Sequence, residues 1–254
     1  GGVVNFGAER LDGDYIPASD INLVRAEVMA IETALGASLA NIPSSADLVR
    51  VNYLVNGGFD FAQRQTAGTL TTIASEKYSA DRWRVASQVA GVQYQRLDGT
   101  WESGLTSLYF GNFKWSAGSA GKFMLHQPLE AMNSVPLRGK TVVFQVKLKA
   151  STAKIIRMGL LELQSTGAAN VLPATFVTAW GASGIDPTLG GNLALVAAQS
   201  KSVGNSWQQF SLVASVPLGS KNIICALWAD GAFLTNETLS VAEAGLFVGT
   251  IVQA

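Results

Sequence analysis

From about residue 50 onward, apolar residues recur at every second position, the period of a strand with one face buried and one wet. Thr141-Val142-Val143-Phe144-Gln145-Val146-Lys147-Leu148-Lys149 puts Val142, Phe144, Val146 and Leu148 on one side and mainly polar groups on the other. Phe210, Leu212, Ala214 and Val216 alternate in the same way with Gln209, Ser211 and Ser215 before Pro217. Trp83 and Val85 alternate with Arg82 and Arg84, and Val92 and Tyr94 with Gln93 and Gln95. Two more uniformly apolar runs, 155–163 and 223–228, read as central strands covered on both faces. Asp98-Gly99, Ser116 to Gly121 and Gly190-Gly191 punctuate these runs as turns. The pattern predicts an all-β chain, a two-sheet antiparallel sandwich of the jelly-roll kind occupying residues 51–254. Trp83 and Phe144 are expected in its core. The pattern offers no second helix and no internal repeat.

The first fifty residues have a different rhythm. Pro17-Ala18-Ser19-Asp20 supplies a helix start, with Ser19 or Asp20 able to accept from the free backbone N–H groups. Ile21, Val24, Val28, Ile31 and Leu35 then follow at spacings of three and four, a heptad seam that predicts a helix over about 20–35, ended by Gly36. Two heptads are marginal alone in water. The stripe therefore needs a partner, either the chain's own β domain or other copies. Its β-branched residues favour a homotrimer over a dimer. Residues 1–40 are read as an attachment and trimerisation segment, and 41–50, with Pro43 and its small polar neighbours, as a linker.

One stretch carries more than its periodicity. Asn56-Gly57-Gly58-Phe59-Asp60-Phe61-Ala62-Gln63-Arg64-Gln65-Thr66 reads as a strand running into a Gly-Gly turn, and Tyr78-Ser79-Ala80-Asp81-Arg82-Trp83 opens a second strand on Asp-Arg-Trp-Arg. The chain resembles, on these residues, the C-terminal domains of bacteriophage fibre proteins, tail or head fibres. The likeness continues through Gln127-Pro128-Leu129-Glu130, 137–141 and 146–151 and covers roughly 50–254. The resemblance implies a virion protein, assembled in the host cytoplasm, that docks on other virion proteins through its N-terminal segment. It also implies a β-sandwich, similar in architecture to jelly-roll carbohydrate-binding modules, that recognises a host-surface glycan. The alternative is a capsid decoration or head-fibre protein with no receptor role. A polysaccharide depolymerase is a third reading.

Composition narrows the partners. Eighteen Lys and Arg against eighteen Asp and Glu leave no net charge, so there is no field to draw nucleic acid or an anionic membrane. No run approaches the roughly 18 apolar residues of a membrane span, and Gly1 to Asn5 lacks the basic and apolar regions of a secretory signal. The single cysteine, Cys225, excludes an internal disulfide and reads as a buried small hydrophobe. The sequon Asn236-Glu237-Thr238 reads as a chance match.

Glycan sites on sandwiches need exposed aromatic faces ringed by hydrogen-bonding groups. Trp101 and Trp180 lie in polar or Gly-rich loop sequence and are the candidate glycan-binding residues. Each could equally pack at a subunit interface. The long segment from Asn170 to Lys201 is a candidate for receptor contacts, although Leu193 to Val196 is apolar enough for a strand. Asp60 and Glu243 are weak candidate ligands for a structural calcium, by analogy with jelly-roll modules; no other cofactor is expected. Asp81 and Arg82 are expected to cap a turn or form an ion pair, and His126 to be a satisfied structural imidazole. Glu102, Glu130, Glu162, Asp186 and Asp230 are available carboxylates, but nothing pairs two of them for hydrolysis. With no nucleophile elbow, phosphate loop or zinc motif, the chain is expected not to be an enzyme.

Overall fold

The computed structural model describes residues 51–63, 68–116 and 120–250. The proposed helix with Ile21, Val24, Val28, Ile31 and Leu35, and the linker after it, lie outside them. In chain order the strands are β1 (Thr71–Thr72), β2 (Lys77–Tyr78), β3 (Arg84–Ser87), β4 (Val92–Asp98), β5 (Tyr109–Trp115), β6 (Phe123–Pro128) and β7 (Thr141–Ala150). They continue as β8 (Lys154–Leu163), β9 (Val177–Ala179), β10 (Thr188–Leu189), β11 (Leu193–Val203), β12 (Gln208–Ser215), β13 (Asn222–Ala229) and β14 (Thr238–Val248). One sheet runs β1-β4-β5-β14-β7-β12 and the facing sheet β11-β8-β13-β6-β3-β2, all antiparallel, with β9 and β10 as a separate pair. This is the expected two-sheet sandwich.

Between the sheets lies one core. Val142, Phe144, Val146 and Leu148 of β7 meet Ile223, Cys225 and Leu227 of β13 in it, together with Trp83, Tyr94, Phe113, Trp115 and Phe123. Trp115 stacks on Phe233 with ring centroids 4.1 Å apart and meets Phe123 edge-on at 4.8 Å. Cys225 is buried here, and burial pushes its thiol pKa up, away from reactivity.

The two sheets differ on their outer faces. On the sheet containing β13 the outward residues are apolar too: Met124, Leu161, Leu163, Ile224, Ala226 and Trp228 form a second cluster with Phe176, Val177 and Leu193. Every residue of β13 is buried, as its unbroken apolar run required. The cover is the chain from 164 to 192, including β9 and β10, with Leu172, Trp180 and Leu189 packed onto the cluster. Asp230 fastens it by accepting from the Ser183 hydroxyl and the Gly184 N–H (2.9 Å) while facing Arg157 at 3.5 Å. The segment expected to make receptor contacts is thus partly structural, and its 193–196 stretch belongs to β11.

Three local expectations are corrected. Residues 51–63 form no strand; they run irregularly beside β14, held by Tyr53 N–H to Leu246 O (3.0 Å), Asn52 Oδ1 accepting from Leu246 N–H (3.0 Å) and Ala244 N–H to Gly57 O (3.0 Å). The second strand opens at Arg84, because Asp81 to Trp83 make a turn with Arg82 in the left-handed region (φ 70°). A short helix also exists, α1 (Ala131–Ser134), running into a 3-10 turn at Val135–Leu137. Four residues are too few to show a helical period.

At Gly57 there is no room for a side chain. A Cβ there would sit 1.9 Å from the Ala244 carbonyl oxygen. Gly57→Ala is therefore expected to cost about 1–3 kcal/mol through forced separation of this segment from β14, read as a lower urea midpoint at unchanged slope.

Candidate functional site

The outer face of the other sheet carries the candidate site, although Phe110, Val143, Ala242 and Phe247 point outward on it and are themselves buried. Strand alternation decides what stands there. Because Val92 and Tyr94, Phe113, Leu239 and Val241, and Val146 and Leu148 point into the core, their neighbours point out. Register then aligns Gln95 of β4 with Asn112 of β5, Asn112 with Ser240 of β14, and Ser240 with Lys149 of β7. Gln93 opposite Lys114 and Lys147 opposite Gln209 flank this row. Along this row stand amides, hydroxyls and ammonium groups, with the Ser240 hydroxyl, itself buried, donating to Asn112 Oδ1 at 3.0 Å.

At one end the 99–108 loop folds onto this face and is held by two carboxylates. Glu102 Oε2 pairs with Lys149 Nζ at 2.5 Å and accepts from Trp207 Nε1 at 2.9 Å. The bond to Lys149 is the main reason its carboxyl titrates below the ordinary range; burial opposes it and Trp207 adds to it. From the other side Glu243 Oε1 accepts from the N–H groups of Thr106 (2.5 Å) and Ser107 (3.0 Å), and its Oε2 meets Lys147 at 2.9 Å. Burial works against the Glu243 carboxylate, yet Lys147 and the two amides together hold its pKa low. Lys147 also donates to Gly104 O at 2.8 Å. Glu243 adopts a left-handed backbone (φ 48°) at the bulge in β14, the kind of local strain that persists where surrounding bonds over-determine it.

Aromatic rings complete the patch. Trp207, half-buried, meets Phe110 edge-on at 5.2 Å, and Lys149 lies 5.3 Å from its ring centre. Trp101 precedes Glu102 in the pinned loop and is 91% exposed, so an indole is presented to solvent from a fixed support. The arrangement sets the exposed Trp101 indole and the half-buried Trp207 among hydrogen-bonding groups of both polarities.

The other sequence candidates fall elsewhere. Trp180 is part of the cover over the opposite sheet, packed against the second apolar cluster. Among the described residues no group of three His, Cys, Asp or Glu could hold a metal; the Glu243 oxygens serve the loop, and Asp60 is exposed, its carbonyl accepting from Arg96. Asp81 and Arg82 do what was expected: Asp81 accepts from Gln63 N–H at 3.3 Å, and Arg82 pairs with Glu130 at 2.6 Å. His126 is wholly buried but is held by stacking on Phe176 (3.9 Å between ring centres) instead of by a hydrogen-bonding partner. Of the remaining carboxylates, Asp186 faces Arg157 at 3.0 Å, sharing that guanidinium with Asp230, and Glu162 accepts from the Ser220 hydroxyl. Trp207 and Lys149 were missed, although continuing the alternation of Gln209 and Ser211 back by two residues puts Trp207 on the polar face.

No protein-family model matches the sequence, and no curated protein matches it. Solved structures similar to the chain include TmCBM61 in complex with β-1,4-galactotriose, at 12% identity and a TM-score of 0.44, covering 78% of this chain and 99% of that one. The xylan-binding domain from carbohydrate-binding module family 22 matches at 11% identity and a TM-score of 0.44, over 83% of this chain and 100% of that one. The enzymatically active domain of tailspike protein 4 of bacteriophage CBA120 matches at 11% identity and a TM-score of 0.46, over 78% of this chain but 21% of that one. At these identities and scores, no residue role carries across.

Proposed function

We propose that this protein is a non-catalytic bacteriophage fibre component whose sandwich binds a host-surface glycan at the 99–108 loop on the outer side of its β1-β4-β5-β14-β7-β12 sheet. The observation that carries the reading is Trp101, an almost fully exposed indole on a loop clamped by Glu102 and Glu243 beside the polar row. Flat rings stack on the C–H faces of a pyranose, and amides, lysines and carboxylates exchange hydrogen bonds with its hydroxyls. The fibre part of the reading is supported by the Asn56–Thr66 and Tyr78–Trp83 resemblance. Weak single sites then become useful through several copies on one particle.

The test is an array of defined oligosaccharides probed with the whole chain and with Trp101→Ala and Trp207→Ala. Each variant should lose about tenfold in affinity for the bound sugar, the worth of one stacked ring. Trp101→Ala should leave the melting temperature unchanged. Undiminished binding by both variants would remove the glycan role from this face. Two companion measurements address the rest of the proposal. Light scattering should give three chains for the whole protein and one for a fragment starting at Ser45, if the Ile21–Leu35 seam assembles it. Incubation with host polysaccharide should release no new reducing ends.

A further inference from the structure

The charges around Trp101 are matched. On the outer side of the β1-β4-β5-β14-β7-β12 sheet and on its 99–108 loop stand Lys114, Lys147 and Lys149 with Glu102 and Glu243. Asp98, at the root of the loop, adds a third carboxylate to set against the three ammonium groups. Arg96 turns away from this side, over the Tyr109 ring (4.4 Å) and onto the carbonyl of Asp60, so those two residues add one charge of each sign.

Two of the lysines are closed off. Lys147 and Lys149 are two apart on β7 and share its outer side, where alone they would make a cationic patch. Glu102 Oε2 lies 2.5 Å from Lys149 Nζ, and Glu243 Oε2 lies 2.9 Å from Lys147 Nζ. Side-chain exposure in these pairs runs only from 18% to 33%, against 54% and 57% in the Arg82–Glu130 pair, so solvent and salt screen them less. Each ammonium has further contacts on the protein: Lys147 donates to Gly104 O at 2.8 Å, and Lys149 lies over the Trp207 and Phe110 rings, 5.3 and 6.0 Å from their centres. Lys114 has no carboxylate partner among the described residues, but it stands five residues along β5 from Tyr109, where the loop rejoins the sheet. At strand rise that is roughly 17 Å.

The two carboxylates also restrict a ligand directly. Lys149 first of all holds Glu102 below the ordinary carboxylate range, and Lys147 with the Thr106 and Ser107 amides does so for Glu243 against the effect of its burial. At neutral pH both are therefore acceptors only. A sugar hydroxyl can donate to them, whereas the carboxylate of an acidic sugar has no proton to give.

We propose that Glu102 and Glu243 set the specificity of the Trp101 site, admitting neutral sugars and turning away acidic ones by neutralising the two lysines that would otherwise hold an anion. This rests on the reading of the face as a glycan site. The bonds that fix the loop are then the same bonds that remove the cationic patch.

The experiment separates charge from shape. One oxygen of Glu102, Oε2, takes both Lys149 and Trp207, so Glu102→Gln keeps an oxygen able to accept from both while leaving the Lys149 ammonium unmatched. An array of neutral oligosaccharides, and of the same oligosaccharides bearing a uronic acid, is probed with the whole chain, with Glu102→Gln, with Glu102→Gln plus Lys149→Gln, and with Trp101→Ala and Trp207→Ala. The parent is expected to bind the neutral members at least tenfold more tightly than their acidic counterparts. In Glu102→Gln the ratio of acidic to neutral affinity should rise about tenfold, as one charge-assisted bond would give, and most of that gain should vanish at about 1 M salt. The double variant, with neither charge, should return to the parent's ratio, which a mere loosening of the loop would not do. A parent that prefers acidic members, an unchanged ratio in Glu102→Gln, or a raised ratio that persists in the double variant overturns the proposal. The glycan reading of the face stands in those cases as long as Trp101→Ala or Trp207→Ala weakens the bound sugar. If both tryptophan variants bind as the parent does, that reading falls and this proposal falls with it.

Discussion

Trp83→Ala is expected to destabilise the domain by about 3–5 kcal/mol, the range for emptying a fully buried large aromatic site. Against a total of about 5–15 kcal/mol for a domain of this kind, that is a large share, and the melting temperature should fall by about 10 °C or more. The reasons are local and cumulative. Trp83 has no exposed surface, stacks on Phe59 with an interplanar angle of 16°, and gives its indole N–H to Asn56 O. Removing it leaves a cavity, takes one of two donors from the Asn56 carbonyl, which keeps Phe59 N–H at 3.1 Å, and removes the ring on which Phe59 stacks. Trp83→Phe, which keeps most of the ring, should recover a good part of the loss. A loss below about 1 kcal/mol in urea titrations of Trp83→Ala would mean that the 56–61 turn is held without it.

The second large effect comes with acid. His126 is buried against Phe176, and burial first, then the nearby Arg84 charge, lowers its pKa from 6.5 to about 3. An imidazole whose folded pKa is depressed stabilises the fold above its unfolded value and loses that contribution as pH falls from about 6.5 toward 3. At pH 5 the loss should be about 2 kcal/mol, from roughly 1.4 kcal/mol per pH unit. Asp230, Glu237 and Glu243, all held below their usual values, give the same sign only below about pH 4.5, nearer the unfolded carboxylate range. Glu76, raised mainly by its own burial, works in the opposite direction. It is present in both proteins when the parent is compared with His126→Phe, which keeps a ring on Phe176 and has no proton to gain. Between pH 7.5 and 5 the parent's stability should drop by about 2 kcal/mol more than the variant's. Parallel curves would show that the imidazole is protonated without cost in the fold.

The sandwich was legible because period-2 alternation is a direct statement about faces. Phe144 and Trp83 were placed in the core by it, and the 223–228 run declared itself covered on both sides. What covers it was not legible. Trp101 and Trp180 sit in loops of similar composition, yet one is exposed and the other lies on the second cluster, because Met124, Leu161, Ile224 and Trp228 leave an outward apolar surface that some loop had to bury. The fully apolar strands were the signal that such a loop existed, and only its identity needed coordinates. The Asn56–Trp83 motif was visible as a pattern but misread as strands. Its content is a set of left-handed turns at Asn56, Phe59 and Arg82, which non-glycine residues do not announce. The pairing of Glu102 with Lys149, 47 positions apart, depends on which strands neighbour one another and has no local trace.

The two carboxylates that fasten the 99–108 loop decide when its conformational freedom is given up. A loose loop carrying Trp101 would have to be ordered by each arriving sugar, and that entropy would be subtracted from every binding event. With Glu102 on Lys149 and Glu243 on the Thr106 and Ser107 amides, the ordering is complete once the domain has folded. A weak ligand then meets a surface already in its bound shape. If the chain is carried on a particle in several copies, as proposed, this favours fast capture by any copy that touches the right sugar over slow accommodation by a few.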